Sequence, residues 1–251
     1  MNLNLDLSNT WLIGIIVNTI LILVAFALPK KLLTVMGYVN AWLLGVVVWA
    51  SLNWQGYVVV LFYFFVGSAI TRVGMKRKEA EGIAENRGGV RGPENVWGSA
   101  LVAAICCLGY LFLPSEWQPL MVLGYVASFA TKLSDTCASE VGKAYGKSTF
   151  LITTFKAVPR GTEGAVSLEG TIAGIVASVA IALLGYSLNL IDSMGIVLSI
   201  VAAFVATNIE SVLGATLQND FDWLTNEVVN IINTLIGAIV AIIGAYFFLL
   251  Y

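Results

Sequence analysis

Between Thr131 and Gly170 the chain reads TKLSDTCASEVGKAYGKSTFLITTFKAVPRGTEGAVSLEG. Lys132, Asp135, Glu140, Lys143, Lys147, Lys156, Arg160, Glu163 and Glu169 fall here, with glycines at 142, 146, 161, 164 and 170. Both flanks are strongly apolar. Ionisable residues at the end of a membrane segment are costly, so they mark a functional site by default. Carboxylates beside hydroxyls, with lysines close by, suit a metal–phosphate complex: Mg²⁺ takes one or two protein carboxylates and completes its shell with substrate phosphates. Thr131, Asp135 and Ser139 recur at i, i+4 and share one helical face, flanked by Lys132 and Lys143. The plain alternative is a Lys132–Asp135 pair that merely solvates a helix end.

Further along, Gly142-Lys-Ala-Tyr-Gly146-Lys147-Ser148 imitates a P-loop but lacks its spacing, which needs four residues between the glycines, and the preceding strand. What remains is Lys147 as a point charge beside glycines that admit phosphate to the backbone. Lys156 and Arg160 read as a clamp for phosphate oxygens, and Thr162 and Ser167 as hydroxyl donors. In RVGMKRKEAEGIAENRGGVRGPEN (72–95) half of the charge reads as a solvated loop, with Arg87, Arg91 and Asn95 the better site candidates. Later come Thr207, Asn208, Glu210 and Ser211, then Asn219-Asp220, then an Asn226, Asn230, Asn233 stripe. Such stripes also serve as interhelical hydrogen bonds.

The elements that must position these residues are membrane helices. Over 251 residues, 59% are hydrophobic and 11% charged, with a mean hydropathy of +0.88. A hydrocarbon core of roughly 30 Å needs about 20 apolar residues per crossing. Eight segments qualify: Thr10–Leu28, Leu32–Leu52, Tyr57–Gly74, Val96–Leu113, Leu120–Cys137, Ser167–Leu190, Met194–Leu217 and Val228–Leu250. The expected fold is therefore all-α, a single polytopic membrane domain over 1–251, with polar loops at 75–95, 138–166 and 218–227. All 13 Lys and Arg residues then fall on the face of those loops, or at helix ends toward it. Loop charge bias sets orientation, which makes that face cytoplasmic and puts both termini opposite.

Other chemistry is excluded by composition. There is no His, so neither an imidazole base nor a His-ligated zinc is available. Cys106, Cys107 and Cys137 have no CxxC spacing and read as small buried apolar side chains. The N-terminal MNLNLDLSNT has no basic residue, so it is neither a secretory nor an Arg-rich transit signal. A bacterial protein is expected, or a mature form with its presequence removed.

SDTCASEVGKAYGK, then PRGTEGAVSLEGTIAG, then NEVVNIINTLIGA resemble, in that order, the phytyl-phosphate kinase family of tocopherol biosynthesis, which includes transmembrane protein 19-like proteins. The resemblance runs from about Arg87 onward. More loosely, Asp135, Ala138, Ser139, Gly142, Gly146, Lys147, Glu163 and Gly164 are similar to motif positions of CTP-dependent dolichol and phytol kinases, and more distantly of CDP-diacylglycerol synthases. Dolichol kinases tend to place Lys-Thr before Glu-Gly; this chain has Gly161-Thr162, with Arg160 one position earlier.

The resemblance implies transfer of a phosphoryl group from CTP or another nucleoside triphosphate to an isoprenyl monophosphate such as phytyl phosphate. It also implies Mg²⁺ as cofactor, a bilayer as partner, no nucleic acid, and a cyanobacterial inner or thylakoid membrane. The expected assignments are Asp135, Glu140, Lys147 and Arg160 for catalysis. Arg87, Lys132, Ser139, Lys143, Lys156, Thr162, Glu163, Gly164, Asn208 and Asn226 are expected at phosphates, and Asp135, Asn219 and Asp220 at the metal. Rival readings are a phytol or polyprenol kinase, a cytidylyltransferase-like lipid enzyme, or a transporter of phosphorylated lipid, which would need polar groups such as Asn18, Asn40 and Asn233 at mid-depth.

Overall fold

The computed structural model describes residues 9–27, 29, 31–218 and 220–249. Among them eight α-helices form: α1 (Thr10–Ala27), α2 (Val35–Arg72), α3 (Met75–Ala80), α4 (Pro93–Phe112), α5 (Gln118–Tyr145), α6 (Leu168–Ser187), α7 (Ser193–Thr216) and α8 (Asn226–Leu249). A polytopic helical membrane protein is what the apolar runs require, because lipid cannot satisfy an open backbone.

Six of these helices are long and apolar enough to cross a membrane, against eight expected segments. Two physical reasons account for the difference. Residues 120–137 lie in α5, whose charged second half lowers its hydropathy. The expected segments 32–52 and 57–74 fall largely within α2, a single run of 38 residues interrupted at Asn53 (φ 51°, ψ −153°). Straight, α2 would be about 57 Å long, nearly twice the hydrocarbon core. It reverses instead. A Cβ on Gly37 would meet the Arg91 carbonyl at 2.7 Å, and one on Gly67 would meet Arg91 Nη2 at 3.0 Å. One residue thus touches both ends of α2, so its two arms lie antiparallel.

α5 is the hub, packed against α2, α4, α6, α7 and α8. From Leu120 to Cys137 all but Met121 is buried, so it is an all-round core helix rather than an amphipathic one. Tyr125 donates to the Gly56 carbonyl at 2.7 Å and packs edge-on against Phe129, fixing α5 against the second arm of α2. All three cysteines are free and buried. Among the described residues the named strands are a short antiparallel pair, β1 (Thr149–Leu151) and β2 (Ala165–Ser167), in and just after the expected loop 138–166.

Candidate active site at the polar end of the bundle

α5 carries charge where it is buried on every side, and charge there must be paired. Lys132 Nζ lies 2.6 Å from Asp135 Oδ2 one turn on, and 2.7 Å from Asn230 Oδ1 of α8. The two charged side chains are 8% and 11% exposed. This is no solvated helix end: the pair is held inside the bundle.

Two turns further, Glu140 pairs with Lys78 of α3, and Lys78 also donates to the Thr71 carbonyl at 2.7 Å. Lys78 is fully buried. The reading of 72–95 as half solvated is therefore corrected at Lys78. Gly74, at φ 65°, turns α3 back beneath α5, where a Cβ on it would meet that of Ala144 at 2.7 Å. Arg77 then donates to the Ala144 carbonyl at 3.0 Å, a favourable place for a cation at a helix C-terminus.

On the other side, the β hairpin brings residues 161–164 over α5 and α7. Gly164 has φ 74°, and a Cβ there would come within 2.5 Å of the Ser211 carbonyl of α7. The α5–α6 contact is equally tight: a Cβ on Gly170 would sit 2.5 Å from the Ala138 carbonyl, and one on Gly142 would sit 3.2 Å from Ser167 Oγ. Gly142 thus serves helix packing and not a phosphate loop. Ser167 caps α6 by accepting from Gly170 N–H at 3.1 Å.

These elements enclose two adjoining cavities, of about 140 and 400 Å³, that share Asp135, Ser139, Lys143, Gly161, Glu163 and Glu210. The smaller is rich in hydroxyls and small residues, among them Ser134, Thr162, Ser167, Thr171 and Asn208. The larger sets Glu85, Asp135, Glu140, Glu163, Glu210 and Glu227 against Arg91, Lys132 and Lys143. Its excess of carboxylates favours a polyanion only when cations accompany it. Among the described residues no group of three His, Cys, Asp or Glu stands close enough to hold a metal alone. Asp135, Glu163 and Glu210 line both cavities, and Glu210 interacts electrostatically with Asp135, Glu163, Lys132 and Lys143. One or two of these carboxylates are what a Mg²⁺ ion that completes its shell with phosphate would need.

The structure thus brings together Lys132, Asp135, Ser139, Glu140, Lys143, Thr162, Glu163, Gly164, Asn208 and Asn226. It holds others apart. Lys147 and Arg160 line a separate surface depression, where Arg160 donates to Glu81 at 2.7 Å. Lys156 and Asp220 are exposed and line neither cavity. Asn219 and the Arg87 side chain lie outside the described residues. Glu210 and Asn230 join the site without having been assigned to it, and Lys78 backs it from below by pairing with Glu140. Glu210 and Asn230 carried a signal, as polar residues on apolar helices; Lys78 was hidden in a charged loop. Two of the mid-depth groups that a carrier would use are consumed locally. Asn18 bonds Gly14 and Tyr57, and Asn40 bonds Met36 and Trp97. Asn233 has no side-chain hydrogen-bond partner among the described residues, and neither do the buried hydroxyls of Ser68, Thr131, Ser199 and Thr207.

Fold and site together define a polytopic helical membrane protein with a charged, glycine- and hydroxyl-lined cavity at one end of its bundle. The chain belongs to the family described as integral membrane protein DUF92, whose model matches residues 18–238. It is 65% identical to an uncharacterized membrane protein of the cyanobacterium Synechocystis, over 94% of this chain and 92% of that one. It is 42% identical to Protein VTE6, chloroplastic, of Arabidopsis thaliana, over 99% of this chain and 76% of that one. An uncharacterized membrane protein of Methanocaldococcus jannaschii is 31% identical over 92% of this chain and 94% of its own length. No solved structure matches. The kinship that the motifs indicated from Arg87 onward extends over nearly the whole chain.

Proposed function

We propose that this protein is a lipid-phosphate kinase of tocopherol or prenylquinone synthesis, transferring the terminal phosphoryl group of a nucleoside triphosphate, CTP in the first instance, to phytyl phosphate. One observation carries the reading most: Lys132, Lys143, Asp135, Glu163 and Glu210 meet in a cavity at the end of an apolar bundle. Kinship with Protein VTE6, chloroplastic, and the motif resemblance to phytyl-phosphate kinases support the same pathway. The chemistry suits a chain without His. A phosphate monoester is mostly a dianion near neutral pH, its second pKa being about 6, so its oxygen attacks the terminal phosphorus without a protein base. One P–O bond forms, the bridging P–O bond breaks, and the nucleoside diphosphate departs. Catalysis is then positioning and charge neutralisation.

Lys143, at the junction of the two cavities, is placed to bind the transferred phosphoryl oxygens. Lys132 holds the Asp135 carboxylate in orientation, and Asn230 fixes Lys132. Asn208 keeps one amide hydrogen for the nucleotide phosphates, whereas the Thr162 and Ser139 hydroxyls, which donate to the Pro159 and Thr136 carbonyls, must turn to reach them. Asp135, with Glu163 or Glu210, would hold Mg²⁺, which supplies charge neutralisation when bound. Lys147, Lys156 and Arg160 stand at the outer surface, where they attract the polyanion from solution. The site faces the cytoplasm on the loop-charge rule, and a cyanobacterial inner or thylakoid membrane fits the relatives. Incubating purified protein with phytyl monophosphate, Mg²⁺ and each of the four common nucleoside triphosphates tests the reading. Phytyl diphosphate with at least one nucleotide is expected; none with any nucleotide refutes it.

A further inference from the structure

We propose that the apolar cavity between α1, the two arms of α2 and the start of α4 holds the isoprenoid chain of the acceptor, and that Arg91, at its polar end, binds the acceptor's phosphate. The proposal rests on the lipid-phosphate reading above and adds the site where that lipid sits.

The cavity measures about 290 Å³ and is walled by side chains such as Leu44, Val60, Leu61, Val96 and Ala100. Its polar end is formed by Tyr63, Arg91, Asn95 and Ser99, and the same four residues line the charged 400 Å³ cavity. The apolar compartment therefore shares this polar wall with the compartment that holds Asp135 and Lys143. A ligand lying across that wall would pair a long hydrocarbon with an anionic head met by Arg91. Leu21, Val24 and Phe65 are 40–55% exposed at the apolar rim, so the groove is open sideways to the surrounding lipid. At about the lower bound of small-molecule sites, roughly 300 Å³, it takes part of a chain while the remainder leaves through that opening.

Arg91 is built for the head. Its backbone is clamped to the approach to α2: Thr34 N–H donates to the Arg91 carbonyl and Arg91 N–H to the Leu32 carbonyl, each at 3.0 Å. Its guanidinium lies over the Tyr63 and Phe64 rings, 5.4 and 5.9 Å from their centroids, and donates to Tyr63 Oη at 3.0 Å. Among the described residues no carboxylate forms an ion pair with it, unlike Lys78, Lys132, Arg77 and Arg160. A planar cation fixed by aromatic faces, with donors left over, is the usual receptor for a phosphate dianion.

The test uses the full chain in lipid nanodiscs and a phytyl monophosphate carrying a diazirine at mid-chain, without nucleotide. Irradiation should give adducts on Leu44, Val60, Leu61 or Ala100, competed by unlabelled phytyl monophosphate. Arg91→Gln should weaken phytyl monophosphate binding by about tenfold or more, the loss of a charge-assisted contact, with Arg91→Lys intermediate. Binding of phytol, which has no phosphate, should not change. Adducts on Ile175 or Phe204, beside the smaller cavity, or none that unlabelled lipid competes, would overturn the site, as would equal losses for phytol. Phosphoryl transfer with adducts elsewhere sinks this site but leaves the kinase reading intact. Adducts in the groove without transfer from any nucleotide sink the kinase reading alone.

Discussion

Lys132 Nζ and Asp135 Oδ2 lie 2.6 Å apart one turn along α5, at the wall shared by the α8 stripe and the charged cavity. Because the pair is buried, removing one charge does two things at once. Asp135→Asn strips the carboxylate from the site and leaves Lys132 uncompensated, which costs about 3–5 kcal/mol of stability in a buried pair. If Asp135 also contacts a metal–nucleotide complex, the chemical step loses several kcal/mol more, each 1.36 kcal/mol being tenfold. The double variant Lys132→Met/Asp135→Asn separates the two. It should regain most of the thermal stability while turnover stays at least a hundredfold down. A double variant that recovers both makes the pair purely structural and moves the catalytic centre to Glu163 and Glu210.

Glu140 and Lys78 are 62 residues apart in sequence, yet they meet in the core. Lys78→Met should lower stability by about 3–5 kcal/mol, read as a fall in the detergent melting temperature. Lys78→Met/Glu140→Leu replaces both charges with apolar groups and should recover most of that loss. Since Glu140 is already matched by Lys78, the double variant is expected to turn over within about tenfold of wild type. A stable double variant with activity lost by orders of magnitude would restore a catalytic role to Glu140.

These two pairs show what the sequence disclosed. The helices were legible because an apolar run long enough to cross lipid is rarely tolerated anywhere else, and Asp135 because a carboxylate on such a run is conspicuous. Lys132 and Asp135 were readable as neighbours, since i, i+3 spacing alone puts them on one face. The partners Asn230 and Lys78 were not, because each arrives from a distant helix and is chosen by packing. The reversal at Asn53 was legible as a turn, but its sharpness was hidden, since helix resumes at once on both sides. The β hairpin has strands of three residues, too short for a period to register. Lys147, Lys156 and Arg160 looked equivalent to Lys143 in one dimension. Only the end of α5 at Tyr145 separates the lysine inside the bundle from those outside.

The orientation of the bundle can be checked directly. Glu116 and Lys156 are both exposed and lie beyond opposite ends of α5. With the three native cysteines replaced, single cysteines at 116 and 156 in sealed inverted vesicles should react oppositely with an impermeant maleimide. Position 156 should label from the cytoplasmic side, as the placement of the basic residues requires. Equal labelling of both positions would discard the topology.

The pH profile separates chemistry set by the acceptor from chemistry set by the protein. The chain has no His, so no unperturbed side chain titrates between about pH 5 and 8. The acceptor does, with a second pKa of about 6, and its nucleophilic form is the deprotonated one. The sign follows: kcat/KM for phytyl monophosphate should rise about tenfold per pH unit below 6 and level above it. The midpoint should also move with the acceptor. A phytyl phosphonate, whose second ionisation lies higher, should shift the rise upward by the difference between the two acceptors while leaving the plateau shape unchanged. A midpoint that ignores the acceptor assigns the titration to a protein group, and Glu210 would be the first to replace, because it lines both cavities with Asp135, Glu163 and Lys143. Glu210→Gln would then flatten the rise, whereas under acceptor control it should leave the midpoint near pH 6 and change only the height of the plateau.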